Sequence, residues 1–335
     1  MRMMRKLLVG LMLVASILMT ANFAASNAVF VTNLAADDEV KVSVDEKQAI
    51  AAMPEDPQRY LAVICGLPGD EQHRERYQSA LKQISECAAP VLRVPENHIR
   101  VLVGDLQMQS AMQEIGLPIG NCAVTTRDSI ADLLSGYAKK TSVNDTLLVL
   151  LLGHGHLQGA SSQLNIEGVD LDQKDFAALA KGIAASQVYW LTQSTSGFWV
   201  RPLSGPGRIV IASTEAGFEI TATEMPFALA DVLSAKSEHG KLDDIDADGV
   251  ISLVDLYLAT TMEIAGRFRA DDWLMTEHAQ LDDNGDGRGS EIQEPYLPDP
   301  EFIEAQVTEP SRPAKPKRTF LDGDFAKGFL MNRPQ

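Results

Sequence analysis

The sequence predicts an α/β fold in which a mainly parallel sheet lies between two layers of helices. Short, uninterrupted apolar runs alternate along the chain with longer segments that carry apolar residues at helical spacing. Strands joined by helical crossovers run parallel and are buried on both faces, so they are apolar throughout. With 335 residues, of which 45% are hydrophobic and 22% charged, the chain can bury one such core.

Strands and helices alternate in the order that this fold requires. The predicted strands are 60–67, 98–103, 145–152, 188–191 and 208–212, and the predicted helices are 71–88, 128–138 and 172–184. Pro68 and Gly69 end the first strand, and the helix that follows carries Tyr77, Leu81 and Ile84 on one face. The pattern therefore predicts a three-layer sandwich.

Small polar residues follow the third and fourth predicted strands at the point where each strand ends. The third strand runs into Gly153-His154-Gly155, and the fourth runs into Ser194-Thr195-Ser196-Gly197. The carboxyl ends of parallel strands are where an open α/β sheet places its binding and catalytic groups. His154 and Ser194 are therefore the candidate site residues.

These two strand ends resemble the caspase and legumain superfamily of cysteine peptidases. In that family one strand ends in His-Gly, with the catalytic histidine, and the next ends in Cys-x-Ser-Gly, with the nucleophile. His154-Gly155 matches the first motif, and Ser194-Thr195-Ser196-Gly197 matches the second with serine in place of cysteine. The resemblance covers about residues 59 to 297, is nearest to exported bacterial legumain-like proteins, and implies a caspase-like αβα sandwich.

The resemblance also implies one substrate-binding residue. In legumains an arginine in a Tyr-Arg-His motif after the first strand helps to hold the substrate asparagine. Here His73-Arg74-Glu75 lies near that place, so Arg74 matches the arginine while Glu75 replaces the histidine. The alternative interpretation is that Arg74 is an exposed charge on the first helix.

The serine at position 194 decides which activity is expected. A thiol is partly ionised at neutral pH and strongly nucleophilic, whereas a hydroxyl needs a well-aligned general base. The sequence therefore favours a pseudo-peptidase that acts as a binding or regulatory module for a peptide or protein ligand. An active hydrolase, with Ser194 as nucleophile and His154 as base, is the alternative.

A separate motif predicts a calcium site. The stretch 244–255 fills the EF-hand loop pattern, with glycine at position 6, an apolar residue at position 8 and helical periodicity resuming at once. Its predicted ligands are the side chains of Asp244, Asp246, Asp248 and Asp255 and the backbone carbonyl of Val250. Asp255 is shorter than the usual glutamate, so low affinity is expected. The alternative is an acidic surface turn.

A second acidic stretch begins in the same way and then departs from the pattern. Asp282, Asn284 and Asp286 occupy positions 1, 3 and 5, but position 8 is Gly289 and position 12 is Gln293. The sequence leaves open whether this loop binds a cation in a nonstandard way or is only a turn.

The remaining expectations concern organisation and location. The chain divides into a signal peptide (1–28), a linker (29–58), the legumain-like α/β domain (59–240), the EF-hand-like segment (241–297) and a Pro-rich basic tail (298–335). The basic start and short apolar run favour export to the periplasm or the medium, with no membrane span after cleavage; an uncleaved anchor is the alternative. The net charge of −17 argues against a nucleic-acid partner.

Overall fold

The computed structural model describes residues 57–116, 122–217, 219–297 and 322–334. These residues belong to one compact unit, Glu55–Gln335. The predicted signal peptide, nearly all of the predicted linker and residues 298–321 of the tail lie outside the described residues. No helix in the described part of the chain is long and apolar enough to cross a membrane.

Most of the strands form one mixed sheet. The strands within the described ranges are β1 (Arg59–Cys65), β2 (Ile99–Val103), β3 (Ala123–Val124), β4 (Thr146–Leu152), β5 (Gly155–Gln158), β6 (Ser161–Leu164), β7 (Leu171–Asp172), β8 (Ser186–Leu191), β9 (Arg208–Ala212) and β10 (Gln280–Asp282). Seven of them pair in the order β10-β9-β8-β4-β1-β2-β3, while β5, β6 and β7 form a small antiparallel sheet. Within the large sheet β10 is antiparallel to β9, and the other neighbours are parallel.

Helices cover both faces of the large sheet. They are α1 (Glu71–Ala88), α2 (Leu106–Ile115), α3 (Arg127–Lys140), α4 (Gln173–Ala180), α5 (Gly197–Leu203), α6 (Met225–Leu233) and α7 (Leu253–Ala270). Polar side chains begin several of them: Asp70 accepts a hydrogen bond from the backbone N of His73 at 2.8 Å, and Thr126 and Ser252 form capping boxes. The helix starts that the sequence predicts are therefore set by local hydrogen bonds.

Two apolar cores lie on opposite faces of the sheet. Successive residues of β4 alternate between them, with Leu148 and Leu150 in one core and Leu147 and Val149 in the other. Helices α1, α2, α6 and α7 contribute to the first core, and α3, α4 and α5 to the second. The α/β class and the mainly parallel sheet are confirmed, and the layering is compatible with the predicted three-layer sandwich.

The EF-hand-like segment and the end of the tail belong to the same compact unit as the sheet. Strand β10 comes from residues 241–297 and adds an edge strand beside β9. Farther on, Ala326, Phe329 and Met331 are buried in the first core, and the guanidinium of Arg59 lies 4.1 Å from the centre of the Phe329 ring. Residues 322–334 therefore dock on the domain.

The cysteines form no disulfide. Cys65 and Cys122 are buried, Cys87 is partly buried, and all three are free thiols. Burial raises the pKa of the Cys65 thiol, which lies at the end of β1, to about 12. These thiols are therefore core residues and not candidates for nucleophilic chemistry.

Candidate functional site

The two polar strand ends meet at one edge of the sheet. Strands β4 and β8 are parallel neighbours, with Leu151 opposite Leu191, so the residues that follow them leave the sheet side by side. The loop after β8 comes so close to β5 that a Cβ on Gly155 would lie 2.5 Å from the carbonyl oxygen of Ser194. Glycine at 155 is therefore required by this close approach.

His154 faces helix α1 and is half-buried. Its Nε2 lies 3.0 Å from the carbonyl oxygen of Pro68, and its ring packs edge-on against His73 and Tyr77, with centroids 4.7 and 5.8 Å away. Burial and the neighbouring His73 lower the pKa of His154. Because a carbonyl only accepts, Nε2 carries the proton of the neutral ring and Nδ1 holds the free lone pair.

Ser194 is bonded to the backbone of β5 and not to the imidazole. Its Oγ donates to the carbonyl oxygen of Gly155 at 2.8 Å and accepts from the backbone N of the same residue at 3.3 Å. The side chain is buried. His154 and Ser194 are both described, and no hydrogen bond joins them. The hydroxyl proton is therefore held by an amide carbonyl, which is not a general base.

The residue after Ser194 is held in an unusual backbone conformation. Thr195 has a φ of 60°, which a β-branched residue rarely adopts and which costs about 1 to 3 kcal/mol. Two contacts hold Thr195 directly: its Oγ1 lies 2.6 Å from Ser162 Oγ, and its backbone N donates to the carbonyl of Glu219 at 3.2 Å. Trp199 Nε1 in turn donates to the Ser162 hydroxyl at 2.8 Å and so fixes that partner. The surroundings therefore fix the shape of this loop.

A buried amide lies beside these hydroxyls. Gln193 has no exposed surface, and within the described part of the chain neither atom of its amide group has a hydrogen-bond partner. The next hydroxyl, that of Ser196, accepts from the backbone N of Ser213 at 3.0 Å and of Thr214 at 3.2 Å. The loop after β8 is therefore anchored to the end of β9 as well.

Arg74 lies on α1 at the same edge of the sheet. Its Nη1 donates to Asp105 at 2.5 Å and its Nε to Glu71 at 3.1 Å, and only 14% of its side chain is exposed. The pKa of Arg74 is raised, because the bond to Asp105 outweighs burial, which acts against the charge. The guanidinium is therefore a paired group on the domain surface, and the interpretation as a free, exposed charge does not fit.

One ion pair at this edge was not among the predicted site residues. Nδ1 of His278 contacts a carboxylate oxygen of Glu219, and the other oxygen of Glu219 accepts from the backbone N of Glu215 at 2.8 Å. Burial opposes the charge on His278, but the bond to Glu219 raises the pKa of the imidazole. Nothing local in the sequence links His278 with Glu219, because α6 and α7 separate them along the chain.

Three of the predicted calcium ligands converge. One carboxylate oxygen from each of Asp244, Asp246 and Asp255 lies within 4.8 Å of the others, and this is the one such group of three found in the described ranges. Gly249 has a φ of 99°, which a side chain would disfavour. The three carboxylates could hold a metal ion.

Asp255 and Asp248 already have hydrogen-bond or ion-pair partners within the protein. Asp255 is fully buried and accepts from the backbone N atoms of Ile245 at 2.7 Å and Ser252 at 2.8 Å, while burial raises the pKa of its carboxyl. Asp248 Oδ2 lies 3.2 Å from the ammonium of Lys327, which also contacts Asp246. A basic side chain from the tail therefore occupies part of the predicted cation site.

The second acidic stretch folds into a turn that satisfies its own side chains. Asp282 accepts from the backbone N atoms of Gly285 at 3.0 Å and Gly287 at 3.1 Å, and Asn284 Oδ1 accepts from the backbone N of Asp286 at 2.9 Å. Leu281 and Ser290 close the turn with a pair of backbone hydrogen bonds.

Comparison with known proteins does not assign this chain to a family. No family model matches it, and no curated protein matches it either. Its function is therefore inferred from the residues and contacts of the chain itself.

Proposed function

We propose that this chain is an exported, calcium-binding, legumain-like protein that lacks cysteine-peptidase activity and acts as a binding or regulatory module. The observation that carries the proposal is the hydrogen bond from Ser194 Oγ to the carbonyl of Gly155, at the place where the resemblance puts a cysteine nucleophile. That bond uses the only proton of the hydroxyl in a structural role.

The surroundings of His154 support the loss of activity. A serine nucleophile needs a base within hydrogen-bond reach, oriented by a third group. His154 directs its protonated Nε2 to the carbonyl of Pro68, and Ser194 is turned to the backbone of Gly155. The strained Thr195 and the close approach at Gly155 are features of strand-end active sites, which fits descent from a catalytic ancestor.

Restoring the thiol tests this proposal. Wild type, Ser194→Ala and Ser194→Cys are assayed on asparagine-containing fluorogenic peptides and with a thiol-directed activity probe. We expect no hydrolysis by wild type or Ser194→Ala. Cleavage by the wild type that is lost in Ser194→Ala would establish the serine hydrolase instead and overturn the proposal.

A second substitution separates a restored site from a reactive thiol. If Ser194→Cys gains cleavage or probe labelling, the double variant Ser194→Cys with His154→Ala should lose the cleavage. Labelling that persists unchanged in the double variant would show that the new cysteine reacts without help from the imidazole.

The calcium part of the proposal rests on the convergence of Asp244, Asp246 and Asp255. Calcium takes six to eight oxygen ligands, of which carboxylates supply the charge, and extracellular modules bind it with dissociation constants of about 10⁻⁴ to 10⁻³ M. An ion that binds only the folded state stabilises it by about 2.7 kcal/mol at 100 times its dissociation constant.

Two measurements test the calcium part: calorimetric titration with calcium, and thermal unfolding without calcium and with about 10 mM calcium, a concentration high enough to fill a weak extracellular site. Asp244→Asn keeps the shape of the side chain and removes its charge, so it should abolish the calcium-dependent rise in melting temperature. The matched control is Asp286→Asn in the second acidic turn, which should keep the rise. Absence of calcium binding by the wild type would reduce the loop to an acidic turn.

Export is supported by the amino-terminal pattern alone. Mass spectrometry of the protein recovered from its producing cell should give a mature amino terminus after Ser26 or Ala28. An intact Met1 on a protein that fractionates with membranes would favour the uncleaved anchor.

A further inference from the structure

The ammonium group of Lys327 lies in the acidic loop that the proposed function assigns to calcium. Its Nζ donates to Asp246 and, at 3.2 Å, to Asp248. The Asp246 side chain is 2% exposed, so its negative charge is compensated almost entirely inside the protein. Lys327 lies far beyond Asp255 in the sequence, so its presence in this loop is a result of tertiary folding.

The backbone on the amino-terminal side of Lys327 is held by the second acidic turn. The carboxylate of Asp283 accepts from the backbone N atoms of Gly323, Phe325 and Ala326, each at 2.8 Å. Hydrogen bonds to a charged acceptor are stronger than hydrogen bonds between neutral groups. The short turn Ala326–Gly328 therefore starts from a fixed position.

The backbone on the carboxyl-terminal side is held by the first acidic loop itself. Leu253 N donates to the carbonyl of Phe329 at 3.0 Å, and Met331 N donates to the carbonyl of Ile251 at 2.9 Å. The side chains of Phe329 and Met331 are buried. Lys327 is thus anchored on both sides, and only its four-carbon side chain is free to move the charge.

We propose that Lys327 is a tethered cation that competes with the divalent ion for the loop at Asp244 and so sets the affinity of that site. This inference rests on the proposed calcium binding. Asp246 is at once a partner of the ammonium and a member of the converging carboxylates. A divalent ion and an ammonium repel each other across such short distances, so the two occupants exclude one another.

The competition has two consequences for the protein. Without a divalent ion the loop keeps one compensating positive charge, which reduces the repulsion between its carboxylates and helps the segment to remain folded. When the ion binds, the ammonium swings out to solvent while its anchored backbone stays in place. Lys327 therefore weakens calcium binding, and the binding of calcium exposes the side chain of Lys327.

The affinity part is tested by calorimetry with calcium chloride on wild type, Lys327→Met and Lys327→Arg. Methionine keeps the apolar stem and removes the charge, and we expect its dissociation constant for calcium to be about tenfold lower, the effect of one partly buried charged hydrogen bond. Lys327→Arg keeps the charge, so its dissociation constant for calcium should stay near the wild-type value. Lys139→Met, on the remote helix α3, is the control for loss of a surface charge.

The exposure part needs no variant. Wild-type protein is treated briefly with an amine-acylating reagent, with and without calcium, and the modification of each lysine is read by peptide mass spectrometry. Calcium should increase the modification of Lys327 and leave that of Lys139 unchanged.

The outcomes distinguish this inference from the function on which it rests. Tighter calcium binding by Lys327→Met than by wild type, together with increased acylation of Lys327 when calcium binds the wild type, supports both. Equal affinities of wild type and Lys327→Met, with no calcium effect on Lys327 acylation, overturn the competition and leave calcium binding intact. No calcium binding by either protein refutes the calcium site and the competition with it.

Discussion

The side chain of Glu277 makes a strong prediction about pH and stability. It is 1% exposed, and its carboxylate oxygens accept from the backbone N atoms of Glu224 at 2.7 Å and Met225 at 2.9 Å, at the start of α6. Burial raises the pKa of Glu277 to about 8; the two backbone bonds act against this, and the neighbouring carboxylates of Glu224 and Glu219 add to it. The folded protein therefore holds a proton here at neutral pH that the unfolded chain releases.

The direction of the effect follows from proton linkage. Because the folded state binds the proton more tightly than the unfolded state, the contribution of Glu277 to stability is complete below 4.5, the ordinary pKa of a glutamate, and falls until the pH reaches about 8. Between pH 5 and pH 7 the free energy of unfolding should fall by roughly 2 to 3 kcal/mol from this group.

Urea unfolding of wild type and Glu277→Gln at pH 5, 6, 7 and 8, without divalent ions, measures this slope. The glutamine does not titrate, so its free energy of unfolding should lack the fall, whatever constant offset the lost acceptor oxygen causes. Glu75→Gln, at an exposed position of α1, should keep the wild-type slope. Parallel pH curves for wild type and Glu277→Gln would refute the reasoning, since the carboxyl would then titrate alike in both states.

Three further substitutions test other contacts, each by the urea midpoint. Arg267→Ala should lower the free energy of unfolding by about 3 kcal/mol or more, because it leaves the buried carboxylate of Glu263 without the guanidinium 3.0 Å away; an unchanged midpoint would contradict this. Gly197→Ala should cost about 1 to 3 kcal/mol, since its Cβ would lie 2.3 Å from the carbonyl carbon of Glu215, and a neutral result would show that the loop yields. Burial acts to raise the pKa of Asp145, but hydrogen bonds from two backbone N–H groups outweigh burial and lower the pKa. The stability that the ionised carboxylate contributes at neutral pH is therefore lost on acidification. The free energy of unfolding of Asp145→Asn should fall less than that of wild type between about pH 5 and pH 3.

The central strands could be predicted because their signal is local. Strands β1, β4 and β8 are apolar after their first one or two residues, since both faces are buried, and Pro68-Gly69-Asp70 marks the change from strand to helix. Strand β10 has three residues, and helix α5 has seven with Pro202 inside, so neither is long enough to show a period. Such elements form through tertiary contacts.

The same distinction applies to the candidate sites. The spacing of Asp244, Asp246 and Asp255 is a local pattern, and the carboxylates converge. Lys327 reaches them from the far end of the chain, and Ser194 finds its partner in Gly155 of another strand. No window of sequence contains either contact, so the sequence predicts which residues lie at the site but not how they are paired.

The acidic loop at residues 244–255 and the strand-end site are joined by contacts within one compact unit. Asp255 lies in the first turn of α7, and farther along that helix Arg267 pairs with Glu224, 3.1 Å away. The backbone N of Glu224 donates to Glu277, whose neighbour His278 contacts the Glu219 that holds the backbone of Thr195. Because these links run through helix α7 and through hydrogen bonds and ion pairs between buried or half-buried groups, an ion bound in the acidic loop is expected to stabilise the loop after β8 as well. If the protein is the calcium-binding module that we propose, these contacts would keep the loop after β8 rigid while Ser194 serves as a structural residue bonded to Gly155.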